Sequence, residues 1–411
     1  MTLTTTTTTT SAIPAGFKAL PLSILQLSLS AVLKCGQSFR WHCFSESQEY
    51  RLCLLDRVVC LRQTPTSLLY RTFFPDPQPF GDQILVKDAE TLVWLKDYFQ
   101  LDIDLLRLYD EWSLRDKVFM NVKDRFSGIR MLRQDPWENL ISFICSSNNN
   151  ISRISKMVQN LCKEFSPPLI NIQDPGSMTS TNYHAFPPPS VLADPDVASK
   201  LRSLGFGYRA EFIQKTARML FDAHGNGAET WLMKLREAST EEARAELLKL
   251  MGVGRKVADC ILLMSLDKKE VIPCDTHVHQ IAVKHYGVKS SSGKSTMSPK
   301  LYEEINTKLV NVWGPYAGWA HSVGIVVVEI CLIVDSQIPT KVLFTSDLKS
   351  FSSYGVTPTP SPQTSPKKRA RQTQESEQTS LPIVTDTTKL VTSESVVVEA
   401  SVAERVKRRR R

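Results

Sequence analysis

Nine cysteines are scattered through 411 residues, and no two of them form a C-x-x-C pair. That absence leaves no basis for a zinc finger or a four-cysteine iron–sulfur cluster, and it points to a reducing compartment rather than a disulfide framework. Long apolar runs are also missing. None reaches the roughly 20 residues of a membrane span, and no basic-then-apolar leader opens the chain, so no membrane partner is expected. Charge of one sign is scarce where it would matter for a polyanion. The net charge is +8, but the segment from Phe351 onward holds 11 Lys and Arg against 6 Asp and Glu. Only +3 remains for the rest, so any nucleic-acid surface there has to be a local patch helped by backbone N–H groups.

What is present divides the chain into four parts. Residues 1–15 are threonine-rich with nothing to bury, and disorder is expected. Residues 16–115 open with strand signals: Tyr50, Leu52 and Leu54 alternate, Arg57-Val58-Val59-Cys60-Leu61 is β-rich, and 67–74 forms another strand before the Pro75-Asp76-Pro77-Gln78-Pro79 turn. From about Leu101 the pattern becomes helical, and residues 116–350 read as a helical domain. Asp135 is placed as an N-cap with Pro136 at N1 and Glu138 at N3. A second helix carries Ile151, Ile154, Val158, Leu161 and Phe165 on one face. Residues 166–197, rich in proline and serine, read as a surface excursion, and 351–411 as a disordered basic tail. The fold class expected is therefore α+β: an N-terminal antiparallel β-sheet domain, a mostly α-helical domain, and disordered tails.

The densest signal lies at 247–277. Ser239-Thr240-Glu241-Glu242 has capping-box spacing. Ala243, Leu247, Leu248 and Met251 then recur at helical intervals until Gly252-Val253-Gly254 reverses the chain. Val257, Cys260, Ile261 and Met264 make the next apolar stripe and leave Lys256 in a first turn, off the buried face. This is a helix-hairpin-helix, and its glycines seat a phosphate on unobstructed N–H groups. Helix dipole, the neighbouring Arg255 and partial burial are all expected to favour the neutral, nucleophilic form of Lys256. Asp275 follows 19 residues later, after Pro273, as the N-cap of another helix facing the lysine.

The block Gly252-Val253-Gly254-Arg255-Lys256-Val257-Ala258-Asp259-Cys260 resembles the 8-oxoguanine branch of the helix-hairpin-helix DNA glycosylase superfamily. Five other blocks agree, in family order: Gly36-Gln37-Ser38-Phe39-Arg40-Trp41, Arg133-Gln134-Asp135-Pro136, Ser146-Ser147-Asn148-Asn149-Asn150, Leu204-Gly205-Phe206-Gly207-Tyr208-Arg209 and Trp313-Gly314-Pro315-Tyr316-Ala317-Gly318-Trp319-Ala320. The resemblance covers residues 17 to about 349.

The resemblance implies a glycosylase and abasic-site lyase acting on double-stranded DNA with 8-oxoguanine opposite cytosine. It implies Lys256 as nucleophile, Asp275 as electrostatic partner, and no cofactor. The Gly36 carbonyl would accept the hydrogen on N7 that guanine lacks, a buried mismatch of roughly 1–3 kcal/mol against the normal base. Cys260 and Phe344 would stack on the two faces of the base. Asn148 would fill the gap and bond the orphaned cytosine together with Arg153 and Arg209, whose donors match its O2 and N3 acceptors. Tyr208 would wedge the neighbouring step, while Gly252, Gly254 and His277 would hold phosphates. The pairing of His277 with His279 does not suit a metal, because i and i+2 do not share a helix face. The carbonyls of Leu248, Leu250 and Val253 suit a hard cation.

Two departures from the family pattern stand out. His321 occupies a position where the family has a glutamine that reads the base edge. Residues 324–342, GIVVVEICLIVDSQIPTKV, separate Trp319-Ala320-His321-Ser322-Val323 from Leu343-Phe344 with an apolar, β-branched run that reads as a translated intron, or alternatively as a tolerated surface loop. Two basic clusters, Lys367-Lys368-Arg369-Ala370-Arg371 and Lys407-Arg408-Arg409-Arg410-Arg411, point to the nucleus, with a mitochondrial pool as the alternative even though the threonine run has no arginine. A monomer that hands its product to downstream base excision repair proteins is expected. Two other functions compete with this one: a glycosylase for another oxidised base, and a non-catalytic helix-hairpin-helix DNA-binding module.

Overall fold

The computed structural model describes residues 13–121, 123–289 and 297–323. The expected insert, Phe344 and the basic tail lie outside them. An N-terminal sheet is built from β1 (Lys18–Pro21), β2 (His42–Phe44), β3 (Glu49–Cys53), β4 (Val58–Gln63) and β5 (Ser67–Phe73), in the antiparallel order β1-β5-β4-β3-β2. The period-2 alternation sorts its faces. Leu52, Val59, Leu61, Leu68 and Tyr70 point to one core. Cys53, Val58, Cys60 and Leu69 point to another on the opposite face. All five residues of β3 are buried because that strand is covered on both sides.

Helices cover the inner face. The first, α1 (Asp82–Tyr98), occupies a stretch read from sequence as strands and turns. Its apolar residues do not sort to one side: Ile84, Leu85, Val86 and Val93 are exposed, while Thr91, Leu95 and Tyr98 are buried. A helix whose apolar stripe is this diluted gives little periodic signal. The next, α2 (Leu105–Arg115), packs Leu105, Leu108, Tyr109 and Trp112 into the large helical core, which also takes in Ala31 and Phe39.

That large core also holds α3 (Pro136–Ser146), α4 (Ile151–Phe165), α5 (Arg209–His224), α6 (Thr240–Leu248), α7 (Arg255–Ser265), α8 (Thr276–Tyr286) and α9 (Pro299–Trp313). The caps are the expected ones: Asp135 accepts from the Glu138 N–H, and Ser239 with Glu242 closes a reciprocal capping box. Between α4 and α5 the proposed surface excursion contains instead a hairpin, β6 (Pro168–Gln173) and β7 (Ser180–His184). Its Ile172 and Tyr183 bury against the outer face of the sheet. Tertiary contact, which proline and serine counts do not report, decides that hairpin. No helix among the described residues is long and apolar enough to cross a membrane.

Candidate active site

The central helix α7 is not merely amphipathic: every residue from Val257 to Ser265 is buried. It packs against α3 and α6, so its first turn is held from several sides. Gly252 makes the reversal before it, with φ of +81°, and a Cβ there would come within 2.7 Å of the Phe212 ring. Both the conformation and the close approach require glycine. Gly254 is different. Its φ is −90°, and nothing lies within 4 Å of where a Cβ would be. Its small size therefore serves the open side of the hairpin. Of the candidate cation ligands, the Leu250 carbonyl already accepts the Val253 N–H at 3.2 Å. Among the described residues no three His, Cys, Asp or Glu side chains are grouped to hold a metal.

Four side chains meet at the mouth of α7. Lys256 lies with its Nζ 5.8 Å from the centre of the Phe143 ring. Cys260, one turn further on, is 2% exposed, and burial pushes its thiol up to about 11. Asp275 caps α8, with one carboxylate oxygen accepting the His277 and Val278 N–H groups at 3.0 and 3.1 Å. His321, 6% exposed, has no partner at either ring nitrogen. Burial brings its pKa down to about 4 even though Asp275 pulls it up, and the Lys256 charge lowers it further. It is therefore neutral at pH 7.

The amine itself departs from expectation. Lys256 is held above the ordinary lysine value, first by Cys260 and then by Asp275, against the opposing effect of burial. Arg255 does not depress it, because that guanidinium is turned away into ion pairs with Asp259 at 3.0 Å and Glu303 at 3.1 Å. The resting amine is an ammonium poised beside a carboxylate, and it needs a proton acceptor before it can attack.

A network that the sequence reading passed over fixes the distance between lysine and aspartate. Asp259, fully buried, accepts from Arg244 at 2.8 Å, Arg255 at 3.0 Å and the Tyr302 hydroxyl at 2.7 Å. That same hydroxyl accepts the Cys274 N–H at 3.0 Å, one residue before Asp275. One tyrosine thus ties the lysine-bearing helix to the start of α8. The i, i+4 pairing of Arg255 with Asp259 was the only legible trace of it. Gly318 completes the frame, since a Cβ there would come within 2.3 Å of the Val271 carbonyl. Its N–H bonds Lys269 at 3.0 Å, which sets the turn carrying His321.

Gly36, with φ of +81°, is locked through its neighbour. The buried Gln37 side chain donates to the Arg130 carbonyl at 3.1 Å and accepts the Leu132 N–H at 2.9 Å. Gln134 in turn donates to the Gln37 carbonyl at 2.8 Å and, through its own N–H, to the Met264 carbonyl at the far end of α7. The loop around Gly36 and the helix of Lys256 form one hydrogen-bonded frame.

In the Asn148-Asn149-Asn150 loop the three amides separate by role. Asn149 donates to the Cys145 carbonyl at 2.9 Å, and Asn150 caps α4 by accepting the Arg153 N–H at 2.9 Å. Asn148 remains exposed, in the left-handed region with φ of 49°. Arg209 is 3% exposed and donates from Nη2 to the Ser147 and Asn148 carbonyls, while its Nε has no partner. Those two bonds anchor the loop. Arg153 stays exposed and donates to the Gly205 carbonyl at 3.2 Å. Tyr208 is 51% exposed, with its hydroxyl on the Ser147 carbonyl at 3.1 Å. His277 is half-buried on the first turn of α8.

Both the sheet-bearing and the helical parts of the chain match known proteins. Residues 19–140 match the family described as 8-oxoguanine DNA glycosylase, N-terminal domain, and residues 141–307 match the HhH-GPD superfamily base excision DNA repair protein. The chain is 36% identical over 333 residues to an N-glycosylase/DNA lyase of Saccharomyces cerevisiae, covering 75% of this chain and 85% of that one. It is 36% identical over 304 residues to an Arabidopsis thaliana N-glycosylase/DNA lyase, covering 74% and 78%. Among solved structures it is similar to the Clostridium acetobutylicum 8-oxoguanine glycosylase/lyase in complex with dsDNA containing cytosine opposite to 8-oxoG. There the TM-score is 0.60 and the identity 26%, over 74% of this chain and 93% of that one.

Proposed function

Because the chain belongs to the HhH-GPD superfamily of base excision DNA repair proteins and carries the 8-oxoguanine DNA glycosylase N-terminal domain, we propose how its own residues carry out the family's chemistry. It is an N-glycosylase/DNA lyase that binds DNA and excises 8-oxoguanine. Lys256 is the nucleophile. Its Nζ, once deprotonated, attacks C1′ of the flipped nucleotide, and the base leaves with the glycosidic electron pair. The sugar ring then opens as C1′–O4′ breaks, with O4′ leaving as a hydroxyl, and the resulting iminium acidifies C2′, so that loss of that proton expels the 3′ phosphate. Asp275 stabilises positive charge on the sugar, with one oxygen fixed by the α8 cap and the other left for the reacting centre.

The observation that carries this reading is the meeting of Lys256, Cys260, Asp275 and His321 at one helix mouth, on a frame shared with Gly36. Gly36 checks N7, Cys260 lines one face of the base, and neutral His321 meets its edge. Phe344 closes the other face. Asn148, Arg153 and Tyr208 engage the opposite strand and select cytosine from a loop that Arg209 anchors, and the hairpin amides with His277 hold phosphates. The enzyme acts as a monomer, enters the nucleus through its two basic clusters, and passes nicked DNA to downstream repair proteins.

Borohydride trapping tests the lysine. Wild type is expected to form a covalent adduct with an 8-oxoguanine:cytosine duplex, while Lys256→Gln binds the same duplex and forms none. An adduct of undiminished yield from Lys256→Gln overturns the assignment. Competition among duplexes carrying other oxidised bases tests the choice of lesion.

A further inference from the structure

Three arginines stand in a row on the outer face of the sheet, one each from β3, β4 and β5: Arg51, Arg62 and Arg71. All three reach the same carboxylate. The fully buried Glu49 meets Arg51 Nε at 2.6 Å, Arg62 Nε at 3.0 Å and the Arg71 guanidinium at 3.5 Å. Aromatic rings are interleaved with them. Arg62 and Arg71 lie 5.2 and 4.7 Å from the Phe17 ring, Arg71 lies 4.6 Å from Phe73, and Arg51 lies 4.9 Å from Phe44. Stacking of this kind fixes the planes of the guanidinium forks before any ligand arrives.

The row lines a cleft of about 780 Å³ beneath the β6–β7 hairpin. Its charges do not balance. The three arginines face Glu49 and Asp174, and both Asp174 oxygens already accept hydroxyls, from Thr179 and Thr181 at 2.8 Å. One positive charge is left over. A donor is left over too: Ser47 Oγ, on the cleft wall, has no hydrogen-bond partner, while Arg71 also meets the Cys60 thiol across the strands. Buried donors without acceptors cost about 1–3 kcal/mol each unless something fills the site. An excess of forked donors and positive charge selects an oxyanion with several acceptor oxygens.

We propose that this cleft binds a phosphate group and is separate from the catalytic centre. The 15 residues of α4, about 22 Å of helix, run between the Asn148 loop and the start of β6. The phosphate comes either from a free polyphosphorylated molecule or from the backbone of DNA outside the lesion. In both cases the recognising chemistry is the same, two or three guanidiniums on one tetrahedral anion.

The test uses the full chain, pyrophosphate as probe, and Arg62→Gln, the change at an arginine whose side chain is 27% exposed. Arg62→Lys, which keeps the charge and loses the fork, guards against a folding artefact. Calorimetry is expected to show pyrophosphate binding weakened at least tenfold by Arg62→Gln and partly restored by Arg62→Lys, with single-turnover incision unchanged. The salt dependence of binding to undamaged duplex separates the sources. A log–log slope reduced by about one in Arg62→Gln assigns the phosphate to DNA, and an unchanged slope with lost pyrophosphate binding assigns it to a free ligand. Equal pyrophosphate isotherms in wild type and both variants, or no binding in any, together with equal salt slopes, overturn the proposal.

Discussion

Removing one oxygen, in Tyr302→Phe, is expected to damage catalysis without touching substrate. The hydroxyl is 5% exposed at the residue level, donates to Asp259 at 2.7 Å and accepts the Cys274 N–H at 3.0 Å. Burial next to Asp259 pushes its ionisation far above the ordinary tyrosine range, so it is a hydroxyl at any working pH. Phenylalanine fills the same volume, so no cavity forms. The loss is two hydrogen bonds, one to a charged acceptor, and it leaves the Cys274 N–H unpaired. At about 1–3 kcal/mol for an orphaned buried group, a stability loss of roughly 2–4 kcal/mol is expected. Asp259 keeps Arg244 and Arg255, so the fold survives. What slackens is the tie between the helix of Lys256 and the residue before Asp275. Misplacement on the order of 1 Å can cost 10²-fold in rate. Single-turnover base excision is therefore expected to fall tenfold or more, while the Kd for a lesion duplex stays within about twofold. Thermal unfolding and single-turnover kinetics measure the two effects. Full wild-type rate with the expected loss of stability would show that the tyrosine is only structural.

Other expectations follow from the same geometry. Gly252→Ala is expected to cost about 2–4 kcal/mol, because it adds left-handed strain to a 2.7 Å collision with Phe212. Gly254→Ala has open space and an ordinary φ, so it is expected to leave urea unfolding unchanged and weaken duplex binding at least fivefold. If Gly254→Ala binds like wild type, that amide does not approach a phosphate.

His321 has a depressed pKa in the fold, about 4 against an ordinary value near 6.5. The unfolded chain therefore takes up the proton first as pH falls. The stability of the neutral form is complete above about 6.5 and is lost progressively toward 4, by roughly 3 kcal/mol or less. His321→Gln is expected to flatten that part of the stability–pH curve, and an unchanged curve would count against a buried neutral imidazole. Lys256, held charged at rest, is expected to give a single-turnover rate that climbs with pH through the neutral range. A rate flat from about pH 6 to 9 would mean that proton loss from this amine is not required.

The sequence by itself determined the parts of this protein that depend on local physics. Caps at Asp135, Ser239 and Asp275, the hairpin glycines, and the strands with clean alternation were all legible, because each is settled by a few neighbouring residues. Lys256 and Cys260 fall one helical turn apart on a helix that local pattern places, whereas the role of Cys260 at the base comes from the resemblance. Tertiary structure alone decided three things. It decided that Asp82–Tyr98 is a helix and that a hairpin covers the outer face of the sheet, because neither carries a periodic signal of its own. It decided that Arg209 anchors the loop, that Asn149 turns in to the Cys145 carbonyl and that Asn150 caps α4. It also decided the state of the amine. Whether Lys256 is charged depends on Cys260, on Asp275 from another helix, and on where Arg255 points. Electrostatic energy depends on distance through space, and the order of residues along a chain does not contain it.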